Sequence, residues 1–84
     1  MNHCIITFRS VTPAQRAEKL LTRTGFSCLL QRTPRWMETQ GCGYSIRVRE
    51  RDIQDCVRLL RDNNIPFRKV YVQRNNVKPE ELIL

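Results

Sequence analysis

The sequence has few of the features that define several common protein classes. Its four cysteines, at positions 4, 28, 42 and 56, include no Cys-x-x-Cys pair, so a zinc site is poorly supported. We expect no cofactor. No apolar run approaches the roughly 20 residues of a membrane span. The first residues are not a charged-then-apolar signal segment. We therefore expect a cytoplasmic protein with free thiols rather than a secreted disulfide framework.

Negative charge is also scarce. Fifteen Lys plus Arg stand against eight Asp plus Glu, which gives a formal net charge of +7. This balance suits an anionic partner, namely nucleic acid, an acidic protein or a small anion, although a solvated basic surface is the alternative. The chain lacks the glycine-aromatic signature of an RNA-recognition motif, so nucleic acid is the less favoured partner.

Apolar periodicity divides the chain into strands and helices. Short apolar or alternating runs predict four strands, over residues 4–8, 26–30, 44–48 and 67–72. Thr12-Pro13-Ala14-Gln15 is typical of a helix start with Thr12 as its N-cap, and Gly25 is a natural stop for that helix. An apolar face at helical spacing predicts a second helix over residues 52–63.

The resulting order, β-α-β-β-α-β, predicts an α+β protein with a ferredoxin-like fold. Right-handed crossovers give a four-stranded antiparallel sheet in order 4-1-3-2 with both helices on one face. We expect residues 1–74 to form this single domain and residues 75–84 to be a C-terminal tail. The apolar end of the tail, Leu82-Ile83-Leu84, suggests docking on another chain or a homo-oligomer contact. The expected core is Ile6, Phe8, Ala17, Leu21, Leu29, Ile46, Val48, Ile53, Val57, Leu60 and Val70, and Cys4, Cys28 and Cys56 are expected to join it as small apolar residues.

Gly41-Cys42-Gly43 is the stretch most indicative of chemistry. Two flanking glycines leave the Cys42 thiol with little cover, and the strand pattern that follows places it at a loop-to-strand junction. In the predicted topology this junction lies beside the first helix, near Thr12, where partial positive charge favours a thiolate. Arg35 and Arg47 are close in sequence and are further candidates to stabilise the anion. The alternative is a tight turn with an exposed cysteine that has no function.

Several segments together resemble a known protein family. They are Ile5-Ile6-Thr7-Phe8, Arg16-Ala17-Glu18-Lys19-Leu20-Leu21 with Gly25, Pro34-Arg35, Cys42-Gly43-Tyr44-Ser45-Ile46-Arg47 and Asn64-Ile65-Pro66-Phe67. Over about residues 4 to 72 the chain resembles the family of small selenium/sulfur carrier-like proteins. The resemblance implies that Cys42 carries a sulfur or selenium atom, received from a donor protein and passed to an acceptor protein.

The expected activity is therefore transfer by a thiol carrier rather than turnover of a small substrate. Gly41 and Gly43 would leave the sulfur reachable, and Thr12, Arg35 and Arg47 would stabilise the anion. The alternative function is a small basic binding module for nucleic acid or an acidic protein partner.

Overall fold

The computed structural model describes residues 2–33, 43–74 and 78–83. Within these residues the chain forms five strands and two α-helices, with a short 3₁₀ turn before the second helix. In chain order they are β1 (His3–Phe8), α1 (Val11–Thr24), β2 (Cys28–Arg32), β3 (Tyr44–Arg49), the 3₁₀ turn (Glu50–Asp52), α2 (Ile53–Asp62), β4 (Val70–Gln73) and β5 (Glu80–Leu82). The predicted α+β class with two helices and an antiparallel sheet is confirmed.

The sheet has five strands in the order β2-β3-β1-β4-β5, and all neighbouring strands are antiparallel. The prediction of four strands in order 4-1-3-2 was therefore incomplete, because β5 adds outside β4 with Leu82 opposite Val70. Two physical reasons account for the extra strand. It pairs with backbone groups on the outer edge of β4, and it brings Leu82 against the core.

Both helices pack on one face of the sheet. Alternate residues of β1, namely Cys4, Ile6 and Phe8, are completely buried in a core cluster that contains residues of both helices. Burial of one large apolar side chain such as Phe8 contributes about 1.5–3 kcal/mol to stability. Members of the cluster from the rest of the chain are Ala14, Ala17, Leu21, Ile46, Val48, Ile53, Cys56, Val57, Leu60, Ile65, Val70 and Val72.

One expected core residue was placed wrongly. Leu29 is 49% exposed, because it pairs with Arg47 and lies on the sheet face away from the helices. Its neighbours in β2, Cys28 and Leu30, alternate with it and pack against the core. Cys28, Leu29 and Leu30 are all apolar, so the sequence lacks the alternation that would show which of them faces the core.

The helix ends follow ordinary capping rules, with one correction. The N-cap of α1 is Ser10, with φ −143° and ψ 171°, so Thr12 and Pro13 lie inside the first turn and Thr12 is not the N-cap. Proline is tolerated there because first-turn N–H groups have no partner within the helix. At the other end Gly25 adopts φ 107°, as predicted for a glycine stop, and its N–H donates to the Leu21 carbonyl at 3.1 Å.

Candidate functional site

The end of β1 and the start of β3 meet at one edge of the sheet. Phe8, the last residue of β1, pairs with Tyr44, the first residue of β3. On the other side of β3, the β2–β3 ladder continues one residue beyond the Arg32–Tyr44 pair, because the Thr33 N–H donates to the Gly43 carbonyl at 3.1 Å. Helix α1 starts directly after β1, so its first turn belongs to this same edge.

The predicted site residues divide into three groups. Cys42, Gly41 and Arg35 lie outside the described residues. Gly43, the residue to which Cys42 is bonded, is buried at the sheet edge, and Thr12 is exposed in the first turn of α1 at the same edge.

Arg47 is separated from that edge. It is exposed in the middle of β3 and lies on the sheet face away from the helices, since its neighbours Ile46 and Val48 are in the core beneath them. It lies four positions beyond Gly43, a distance of about 13 Å along the strand. Arg47 and Thr12 therefore approach this edge from opposite faces of the sheet.

A basic cavity of about 530 Å³ lies at the start of α1. Arginines reach it from three parts of the fold: Arg9 from the β1–α1 connection, Arg16 from α1, and Arg68 from the segment before β4. The other lining residues are Ser10, Thr12, Pro13, Pro66 and Phe67. We call this the basic cavity. Thr12, which lines the basic cavity, was predicted as a site residue from the sequence, whereas Arg16 and Arg68 were not.

Thr7 fixes one wall of the basic cavity to the sheet. Its N–H donates to the Lys69 carbonyl at 2.8 Å, and its carbonyl accepts from the Arg68 N–H at 2.7 Å. Its hydroxyl accepts from the Lys69 N–H at 3.0 Å and is 3.2 Å from the Lys69 carbonyl. Thr7 itself is only 5% exposed, so these bonds are shielded from water. The backbone of Arg68 is thereby held beside the end of β1.

Helix α1 adds to the positive potential of the basic cavity. The Ser10 side chain makes no capping hydrogen bond, and no acidic residue lies in the first turn. The first-turn N–H groups of this 14-residue helix therefore carry the partial positive charge of its N-terminus without a carboxylate in that turn to offset it.

A family model matches residues 3–72, which is most of the chain and includes every strand and helix from β1 to α2. Its description reads "Putative Se/S carrier protein-like". The chain belongs to this family. No curated protein matches it significantly.

Two of the cysteines that the structure describes in this Se/S carrier-like chain are poorly suited to nucleophilic chemistry. Cys4 and Cys56 are completely buried. Burial, together with the Glu50 carboxylate, raises the pKa of the Cys4 thiol from 9.0 to about 11. Burial, with a smaller contribution from Asp52, raises the pKa of Cys56 to about 12. Both thiols are therefore protonated near neutral pH.

Cys28 differs from the other two. It is half-buried at the edge strand β2, with its sulfur 3.4 Å from the Thr22 hydroxyl and 3.9 Å from the Glu18 carbonyl. Its side chain still packs against the core, in keeping with the predicted structural role.

Two buried hydroxyls flank Gly43 on the face of the sheet away from the helices. Thr33 pairs with Gly43, and Ser45 is the next residue of β3 on that same face. Neither the Thr33 nor the Ser45 hydroxyl oxygen has a hydrogen-bond partner within the part of the chain that the structure describes, and Ser45 is completely buried. A buried hydroxyl without a partner costs about 1–3 kcal/mol.

Residues 2–33, 43–74 and 78–83 contain no cluster of three His, Cys, Asp or Glu side chains that could hold a metal ion. No helix in these ranges is both long enough and apolar enough to cross a membrane.

Proposed function

We propose that the protein is a sulfur or selenium carrier that holds the atom on Cys42 and passes it to a partner protein. The family match over residues 3–72, a range that contains Cys42, is the observation that carries this proposal. The burial of Cys4 and Cys56 and their raised pKa values support it, because they leave few thiols available for transfer.

The transfer step is an exchange between a thiolate and a persulfide. The Cys42 thiolate attacks the outer sulfur of a donor persulfide, R–S–SH. A new sulfur–sulfur bond forms on Cys42, the sulfur–sulfur bond of the donor breaks, and the donor leaves as the thiolate R–S⁻. The products are Cys42–S–SH and R–S⁻, so atoms, charge and oxidation level balance. A selenium atom bound in the same way follows the same steps.

Positive charge near Cys42 would favour the attacking thiolate and the persulfide anion. The first turn of α1, which includes Thr12, lies at the sheet edge where Gly43 directly precedes β3. We assign to Gly41 and Gly43 the role of leaving the Cys42 thiol reachable. We assign to Arg35 the role of stabilising its negative charge. Arg47 acts from the other face of the sheet or at longer range, since about 13 Å of strand separates it from Gly43.

Mass spectrometry of the intact protein tests the proposal. After incubation with a cysteine desulfurase and cysteine, the wild type is expected to gain the mass of one sulfur atom, which a reducing agent removes. Cys42→Ser should gain none, and Cys28→Ser is the matched control that should gain as much as the wild type. Loading of Cys42→Ser to the wild-type level would contradict the assignment of Cys42.

The basic cavity favours one alternative, a module that binds an anionic macromolecule. Nucleic-acid binding would fall steeply with salt and would be unchanged by Cys42→Ser. Sulfur loading that depends on Cys42 separates the carrier from this alternative.

A further inference from the structure

The basic cavity concentrates like charge in a small volume. Arg9, Arg16 and Arg68 line about 530 Å³, and none of the described residues that line it is acidic. Such a lining gives a positive potential that attracts anions. Arginine is also the side chain whose planar fork matches the oxygens of a phosphate group.

The remaining walls of the cavity are apolar. Pro13, Pro66 and Phe67 line it together with the arginines. A volume of about 300–1,000 Å³ is typical of small-molecule sites, and a phosphate group alone would leave much of this space unfilled. The shape therefore suits a ligand that joins a phosphate group to an organic part.

The cavity is also held in place from both sides. Thr7 fixes the backbone at Arg68, as described above, and Ile65, which is 5% exposed, anchors the same segment in the core. On the other side Ala14 and Ala17 bury the first turns of α1 against the sheet. A site whose walls are fixed before binding loses less entropy when the ligand enters.

We propose that the basic cavity binds a phosphorylated small molecule. The phosphate contacts Arg9, Arg16 and Arg68, and the organic part lies against Phe67 and the two prolines. This ligand is separate from the sulfur or selenium atom of the proposed carrier function, and neither proposal depends on the other.

Calorimetric titration of the Cys42→Ser variant tests the proposal, with AMP, inorganic phosphate and adenosine as probes. AMP is expected to bind with one molecule per chain, phosphate more weakly, and adenosine most weakly. Arg9→Gln and Arg16→Gln should each weaken AMP binding about tenfold, as expected for a hydrogen bond to a charged group. Both arginines are exposed, so these changes should leave the fold intact.

Arg23→Gln is the matched control. It removes the same charge from the far end of α1, about 10 Å along the helix from Arg16, and should leave AMP affinity within about twofold of the unsubstituted value. The proposal is overturned if neither AMP nor phosphate binds, if adenosine binds as tightly as AMP, or if Arg23→Gln weakens binding as much as Arg16→Gln. Because the titration uses Cys42→Ser, a failure here leaves the carrier function untouched, and a failure of sulfur loading leaves the cavity untouched.

Discussion

Alkylation of the native protein at pH 8 should rank its thiols. Iodoacetamide reacts with thiolates, so the initial rate at each cysteine follows the fraction of thiolate and the access of the reagent. The carrier proposal requires Cys42 to react first.

The magnitudes follow from the pKa values of the buried thiols. With a pKa of about 11, roughly one Cys4 side chain in a thousand is ionised at pH 8. With a pKa of about 12, the fraction for Cys56 is roughly one in ten thousand. An unperturbed thiol with a pKa of 9.0 is roughly one-tenth ionised under the same conditions. Ionisation alone therefore makes Cys4 and Cys56 at least about a hundredfold slower than an ordinary exposed cysteine, and their complete burial slows them further.

Peptide mass spectrometry after timed quenching gives a rate for each cysteine. We expect Cys42 to be modified first, with Cys4 and Cys56 unmodified over the same period. Unfolding in guanidinium chloride should bring the four rates together, which controls for differences in peptide detection. Modification of Cys4 or Cys56 within tenfold of the fastest rate would refute the reasoning from burial, and a rate at Cys42 below that of Cys28 would remove the basis for choosing it as the carrier.

Two further predictions concern stability. Ser45→Ala should raise the free energy of unfolding by about 1 kcal/mol in urea titrations, because it removes a buried hydroxyl that has no partner among the described residues; a loss of stability would show that the hydroxyl is hydrogen-bonded in solution. The pKa values of Cys4 and Cys56 are raised on folding, so their stabilising contribution is complete below about pH 9 and is lost as the pH rises from 9 through 11 or 12. Between pH 8 and pH 10 the free energy of unfolding should fall by about 1.4 kcal/mol per thiol. The Cys56→Ala variant should therefore lose correspondingly less stability than the wild type over this range. Equal losses in the two proteins would contradict a raised pKa at Cys56.

The elements that could be predicted from the sequence are those with a complete local pattern. The apolar stripe of α2 and the alternation in β3 define a helix and a strand without reference to the rest of the chain. In contrast, β5 has three residues, two of them glutamates, and only Leu82 contacts the core. Its strand conformation comes from pairing with β4, which no local pattern reveals.

The candidate site shows the same division. The edge shared by Gly43 and Thr12 could be predicted, because strand order and the handedness of the crossover fix where β3 begins. Arg68 could not be placed at that edge beforehand, since its N–H reaches the end of β1 by a hydrogen bond to the carbonyl of Thr7, a residue about 60 positions earlier in sequence. Ser10 and Thr12 are both good capping residues, so capping preference alone could not fix the exact start of α1.

The two outer strands of the described sheet differ in how readily another strand could be added to them. β5 is short, and Glu80 and Glu81 are both exposed on it, with Glu81 3.8 Å from Lys69. Carboxylates on a short outer strand discourage pairing with a neighbouring molecule. β2 is longer, has no acidic residue and exposes Leu29. Continuous growth of copies into a fibre through strand pairing would need both outer strands, so the carboxylates of β5 disfavour such growth.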